Sequence, residues 1–500
     1  MGSGLTPAYR TSPRRPDLRG AGQERGRSRP SHGVATLAHS GTAALPDVRP
    51  CASLLRTDAP TTTSAPDGPG LARRLGAFDA TMIVMGGIVG AGIFMNPSVV
   101  ARRLPTGGLI LLAWGIGGLV ALLGAFIWAE LAVRRPVVGG QYAYIRDAFH
   151  PMAAFLYGWA LLLVTQTGGM AAVAVTFAVY FRELTGLVAP GGAMAAAVLL
   201  VLTAVNCLGV RAGASVQNAF MVLKVAAVAA LIGAGLLAPL RSAPPRAEPA
   251  ALSAGTLPMM GAALVPVLFA YGGWQTASFL SGELRRPRRD LPRGLIFGIA
   301  GVVALYIAVN FVCLRALSPA GLAATSIPAS EVMRRALGPR GGRLIAAGIA
   351  ISTLGFLSQG ILTAPRVYYA MARDGVFFRA VGRLSPRTRI PVVAIVLQGL
   401  VASLIALSGT YEQILTYDIS VDFIFYGLTG AALLVLRRRE GPASAFRMPG
   451  GAPATILFVA ICWLVVASAV AHSPANAAVG LALLAAGVPA YAFWARRGRA

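Results

Sequence analysis

The stretch FDATMIVMGGIVGAGIFMNPSVV, Phe78 to Val100, is long enough to cross a bilayer yet carries Gly86, Gly87, Gly90 and Gly92 within a few positions of one another. A membrane helix needs roughly 20 apolar residues, and one that only had to sit in lipid would use Leu or Ala in place of these glycines. Each glycine costs about 1 kcal/mol of helix propensity relative to alanine. A peptide group freed at that depth is tolerable only where protein, water or a ligand satisfies it. The stretch therefore reads as a helix broken near its middle and facing a substrate.

Leu264 to Leu280, LVPVLFAYGGWQTASFL, repeats the device with Gly272 and Gly273 interrupting the span and Pro266 one turn before the break. Glycines four apart, such as Gly86 and Gly90, also serve close helix packing, which is the competing reading for either segment alone. Two interrupted spans, one opening each half of the hydrophobic region, point instead to an inverted-repeat transporter with its site near the midplane.

Composition agrees with a membrane protein. Of 500 residues 56% are hydrophobic and 12% charged, and the mean hydropathy is +0.67. Repeated apolar runs of 18 or more residues make an all-α polytopic membrane protein. The net charge of +26 is not a nucleic-acid footprint, because the basic residues fall in a tail and in loops. Cys51, Cys207, Cys313 and Cys462 show no CxxC spacing, and no metal, cofactor or disulfide framework is indicated.

Residues 1–74 are rich in Arg, Pro, Ser, Gly and Thr and lack an apolar run long enough for a signal peptide. They are expected to be a disordered basic cytoplasmic tail. A transit peptide would show amphipathic periodicity that this stretch lacks, and a start site nearer the first span is the other reading. Residues 75–500 then form the transmembrane domain, with twelve spans expected near 78–101, 108–133, 152–181, 192–209, 214–239, 258–281, 294–316, 343–371, 391–409, 413–436, 453–471 and 476–495. Arginines crowd alternate loops, as in Arg285, Arg286, Arg288, Arg289 and Arg293, or Arg437, Arg438 and Arg439. The positive-inside rule places both termini in the cytoplasm, at the plasma membrane. The segment 318–342 and the residue after it disobey, with Arg334, Arg335, Arg340 and Arg343 outside, and Pro328 to Leu337 is expected to lie as an amphipathic helix over the external mouth.

In order along the chain, GGIVGAGIF (86–94), WAELAVRRPVVGGQYAYIRDAF (128–149), FLYGWALLLVTQTGGMAAVAVTFA (155–178), FAYGGW with GELRRPRRDLPRG (to 294) and FRMPGGAP (446–453) resemble the amino acid–polyamine–organocation (APC) superfamily, especially its bacterial L-type members. The resemblance covers about 78–495. It implies the LeuT-like fold: an inverted repeat of spans 1–5 (about 78–239) and 6–10 (about 258–436), with two helices appended (about 453–495).

A half-helix beginning near Ile93 would direct unpaired N–H groups and a positive dipole end from Gly90, Ala91 and Gly92 into a cavity, where an α-carboxylate fits. Carbonyls released at Ile88, Val89, Phe269 and Ala270, beside Gly272 and Gly273, would face an α-ammonium. The resemblance adds Tyr271, Trp274 and Gln166 as candidates near the ligand. Packing or interfacial anchoring competes for Trp274, and an interhelical hydrogen bond for Gln166. No acidic residue lies near the breaks of the two segments or mid-span in the third helix, so a neutral amino acid is the expected cargo. Asp418 and Asp422, one turn apart on span 10, are the exceptions: functional candidates if buried, solvated groups if nearer the outer end.

The chain has 43 arginines and a single lysine, Lys224, inside span 5. Ammonium, unlike guanidinium, changes protonation readily when desolvated. The resemblance implies that Lys224 stands where sodium-coupled relatives hold a cation, coupling transport to protons, whereas a snorkelling lysine would reach the interface instead. Glu130 and Glu283, each followed by arginines, read as ion pairs that gate the inward face, or as solvated decoration.

The whole describes a secondary transporter of amino acids working by proton symport or exchange, with the amino acid, a proton and the lipid bilayer as its partners. Cationic amino acid or polyamine cargo, a channel or sensor, and a membrane enzyme compete. His32, His39, His150 and His472 are too scattered for an enzyme site. No second subunit is specified by these residues.

Overall fold

The computed structural model describes residues 75–208, 210–237, 255–408, 411–441 and 446–497, so the expected 1–74 tail lies outside the described residues. The described chain is almost entirely helical. The first span is split into α1 (Ala77–Ile88) and α2 (Gly92–Ala101), and the second is α3 (Gly107–Arg134). A short helix α4 (Gln141–Ala148) precedes the third span, in which α5 (Pro151–Ala160) passes through a π-helical turn, Leu161–Thr165, into α6 (Gln166–Thr185). Then come α7 (Gly191–Cys207), α8 (Val210–Leu237), α9 (Thr256–Tyr271) and the four-residue α10 (Thr276–Phe279). The second half continues with α11 (Pro287–Ala324), α12 (Pro328–Thr363), α13 (Pro365–Arg373), α14 (Val392–Ser408) and α15 (Tyr411–Glu440). Helices α16 (Gly451–His472), α17 (Pro474–Ala485) and α18 (Gly487–Arg497) close the chain.

Among the described residues nine helices are long and apolar enough to cross a membrane, and the bent pair α1–α2, at 41°, makes a tenth. Helices α7 and α14 fall where the fourth and ninth spans were expected, but at 17 residues each they reach only about 26 Å. The expected twelve thus includes two that fall short of the hydrocarbon thickness on their own. Proline punctuates the helix starts: Pro151, Pro287, Pro328, Pro365 and Pro474 stand in the first turn of their helices, where a missing N–H costs nothing. Non-helical backbone at Ser318 and Gly338 divides α11 and α12. The helix from Pro328 to Leu337 is therefore a separate piece before the eighth span.

Contacts between helices show the directions of the chain. Helix α1 meets α10 while α2 meets α9, so the first and sixth spans run antiparallel with their breaks side by side, as inverted repeats require. Their equivalents α3 and α11 pack along each other, and α12 lies against both α6 and α8. Leucines such as Leu119, Leu404 and Leu464 remain exposed on outward faces, suited to lipid.

Two glycines make the crossing possible. A Cβ at Gly92 would sit 2.6 Å from the Cα of Ala270, and one at Gly273 would sit 2.1 Å from the carbonyl oxygen of Gly87. Gly273 also has φ +105°, a region closed to most side chains. Gly273→Ala is expected to lower the thermal unfolding midpoint in detergent by several degrees. Gly115→Ala, where a Cβ would meet nothing within 4 Å, should leave the midpoint unchanged or raise it slightly.

Candidate substrate site

A cavity of about 700 Å³, part of it open to solvent, lies where the two breaks meet. Ile88, Gly90, Ala91 and Gly92 line it from the first span, and Phe269, Ala270, Gly272 and Gly273 from the sixth. Helix α2 begins at this point; Phe94 and Met95 donate to the Ala91 carbonyl, which leaves the N–H groups of Ala91, Gly92 and Ile93 without an acceptor within the helix. The break in span 6 is held open by its own backbone: Gly272 is extended (ψ 165°), and Gly273 donates its N–H to the side-chain oxygen of Gln275 at 3.1 Å. Thr276 Oγ1 donates to the Gly273 carbonyl (2.8 Å) and accepts from Gln359 Nε2 (3.1 Å).

The released carbonyls have protein partners in this conformation. The hydroxyl of Tyr306, on α11, lies 3.0 Å from the Ile88 carbonyl and 3.1 Å from that of Ala270. One phenol thus ties the two broken spans together. Lys224 is buried and donates from Nζ to the carbonyls of Val89 and Gly86, the latter at 3.4 Å. A lysine reaching for the interface would not be held there. Its charge instead meets carbonyls at the end of α1, where the helix dipole is negative.

Val89, Ile93, Tyr271 and Trp274 are buried but do not line the cavity. Tyr271 and Trp274, which the resemblance put near the ligand, thus stand outside the cavity lining. Tyr271 packs against Trp114 and Tyr306, while Trp274 meets Trp128 edge-on at 6.2 Å and Tyr426 at 5.0 Å. The extended Gly272–Gly273 turn leaves these rings in an aromatic layer behind the cavity. Gln166 does line it. So do Asp418 and Asp422, 6% and 8% exposed, which removes the reading of solvated groups near the outer end.

Several lining residues had not been singled out in the sequence: Thr165 on the π-helical turn, Phe356 and Gln359 on α12, and Gln275 and Thr276 after the break. Gln359, like Tyr306, is a polar side chain inside an apolar run, which is the signal that could have found it. Pro266 has a structural role of its own. It cannot donate to the carbonyl of Ala262, and the Arg103 guanidinium takes that carbonyl instead. Asn96 on α2 donates to the Pro266 carbonyl at 2.6 Å.

At the ends of the helices, on the side where α1 begins, stands a set of ion pairs. Glu130, wholly buried, accepts from Arg134 at 2.9 Å, from Arg437, and from the Met448 N–H at 2.8 Å. Glu283 pairs with Arg366 of α13 at 3.2 Å rather than with the neighbouring Arg285 and Arg286. Asp374 joins this side by accepting from Arg146 (2.7 Å) and Tyr142 (2.8 Å). Burial first, and then the Asp374 carboxylate, push the Tyr142 phenol above its ordinary range, so it stays a donor. Burial of Glu130 excludes decoration: removing one member of a buried pair costs about 3–5 kcal/mol because its partners are left uncompensated. Glu130→Gln should therefore lower the unfolding midpoint strongly, while Glu331→Gln, which breaks pairs to the exposed Arg334 and Arg335, should shift it little.

The chain resembles known proteins over most of its length. A family model described as amino acid permease matches residues 75–489. The b(0,+)-type amino acid transporter 1 of Oryctolagus cuniculus is 32% identical over 392 residues, covering 77% of this chain and 78% of that protein. The large neutral amino acids transporter small subunit 2 of Homo sapiens is 30% identical over 449 residues, covering 86% and 82%. These relatives are amino acid transporters, which are not enzymes. With broken spans crossing at a cavity and likeness of this extent, the chain belongs to the amino acid permease family of the APC superfamily, as a multi-pass membrane protein.

Proposed function

We propose that this protein is a secondary active transporter that carries amino acids across the plasma membrane by alternating access, with both termini in the cytoplasm. The observation that carries the reading is the pair of interrupted helices whose backbones line one cavity. The start of α2 offers N–H groups and a positive dipole end to an α-carboxylate. The carbonyls of Ile88 and Ala270 offer acceptors to an α-ammonium, which would take them over from the Tyr306 hydroxyl. Backbone thereby recognises the part common to all amino acids. Leu161, Val173, Phe356 and Phe423 give the cavity an apolar flank on which a neutral side chain can rest, in line with relatives named for large neutral amino acids.

Lys224 supplies the coupling element in this proposal. A protonated Nζ holds the Gly86 and Val89 carbonyls at the place a metal cation would otherwise fill. Losing the proton frees those carbonyls and loosens the end of α1. Glu283–Arg366 and the Glu130 cluster hold one face shut and separate when it opens.

The test is counterflow in proteoliposomes. Vesicles loaded with unlabelled L-amino acid are expected to accumulate the labelled L-form saturably and in preference to the D-form. Non-saturable entry of both enantiomers would mark a channel. A pH gradient alone driving net uptake indicates symport, and a requirement for internal amino acid indicates exchange. Lys224→Met should reduce uptake at least tenfold or abolish its pH dependence, and unchanged pH-dependent uptake would refute the role given to Lys224. Glu283→Arg should slow transport; an unaltered rate would reduce the Glu283–Arg366 pair to decoration.

A further inference from the structure

The cavity contains a feature that recognition of an α-carboxylate and α-ammonium does not use. Asp418 and Asp422 lie one helical turn apart on α15, a spacing that puts them on one face, and both line the cavity while more than nine-tenths buried. One carboxylate oxygen of each has no hydrogen-bond partner. Among the described residues no lysine or arginine stands beside either of them; their neighbours are each other and the phenols of Tyr157 and Tyr426, with the Cys462 thiol near Asp422. The one lysine of the chain is engaged elsewhere, at Gly86 and Val89.

Two carboxylates without a cation are an expensive arrangement in a low-dielectric interior. Glu130, the most deeply buried acid among the described residues, is by contrast compensated by two guanidiniums. A second, separate observation marks the same space as incomplete. Thr165 Oγ1, on the π-helical turn, lines the cavity at 7% exposure without a hydrogen-bond partner. A π-helical turn sets a side chain off the regular helical register and recurs at functional sites. Lining the same cavity, α15 supplies two carboxylates with one unpartnered oxygen each, and the third span an unpartnered hydroxyl.

We infer that Asp418 and Asp422 form a subsite for the positively charged side chain of a transported amino acid, an ammonium or guanidinium, with Thr165 as an additional hydrogen-bond partner. The inference rests on the transporter reading above and revises its cargo: the apolar flank that takes a neutral side chain carries the aliphatic stem of a cationic one, whose charged end meets the two carboxylates. The charge on the side chain supplies the compensation that the two carboxylates lack, and the head group stays at the helix breaks. A carboxylate acceptor for a guanidinium or ammonium is stronger than a neutral one, so cationic amino acids are favoured over neutral ones of similar length.

The experiment measures counterflow of labelled L-lysine and L-leucine by the full-length protein in proteoliposomes, with Asp418→Asn, Asp422→Asn and Asp422→Glu variants. L-lysine is expected to be transported and to compete with L-leucine. Each Asn variant should lower the lysine-to-leucine ratio at least tenfold, and Asp422→Glu should restore much of it. L-leucine uptake that excess L-lysine or L-arginine fails to inhibit would overturn the inference and leave the transporter reading intact. An unchanged ratio in both Asn variants would overturn it as well. So would putrescine, which has the ammonium but no carboxylate, competing as well as lysine, or Asn variants that only abolish a sodium requirement. If wild-type protein moves no amino acid of any class, both readings fall. Should the Asn variants not fold, the wild-type thermal shift decides: L-lysine is expected to raise the unfolding midpoint more than L-leucine does, and the reverse order would count against the subsite.

Discussion

A peptide group pulled out of its helix within a hydrocarbon layer has no water to fall back on, and each one must be matched by something in the structure. That constraint organises the centre of this protein. At the end of α1 the Val89 and Gly86 carbonyls are held by a buried ammonium, and the Ile88 carbonyl shares a phenolic hydroxyl with Ala270. In the sixth span a glutamine and a threonine side chain take the groups exposed around Gly273. Lys224 on α8 and Tyr306 on α11 reach the breaks from otherwise apolar helices, while Gln275 and Thr276 belong to the sixth span itself. Breaking two helices therefore explains why Lys224 and Tyr306 sit inside apolar runs, and Gln359 on α12 supports the sixth-span break through Thr276.

Close approach follows from the same constraint. Backbone can offer its dipoles to a shared space only if nothing projects between the two segments, and Gly92 and Gly273 meet that need where a single methyl group would collide with the opposing chain. The surrounding helices hold the crossing by burial. Rings of Trp114, Trp128, Tyr271 and Trp274 form a rigid layer behind the breaks, so the flexible element is confined to a few glycine-flanked residues.

How much of this could be read from the residues depends on how local the signal was. The broken spans were legible because glycines in an apolar run are a local signature, and Lys224 because it is the one lysine among 44 basic residues. Adjacency found Arg134 for Glu130 but not its second partner Arg437, 307 positions away, and for Glu283 it pointed to Arg285 and Arg286 where the partner is Arg366, 83 positions on. The resemblance put Tyr271 and Trp274 near the ligand, whereas the backbone twist at Gly272 and Gly273, which decides the direction of those rings, depends on tertiary contacts. The π-helical turn at Leu161–Thr165 has no compositional mark, since LLLVT would sit equally well in an ordinary helix. The depth of Asp418 and Asp422 was ambiguous for a related reason: periodicity gives the face of a helix, while height along it depends on the neighbours.

The single hydroxyl of Tyr306 spans a gap that belongs to neither broken helix. A phenol has one proton, so it cannot serve Ile88 and Ala270 equally at every instant, and any newcomer that claims either carbonyl tips it toward the other. Whatever occupies the centre therefore changes the bonding of a residue on α11, and that helix is packed lengthwise on α3.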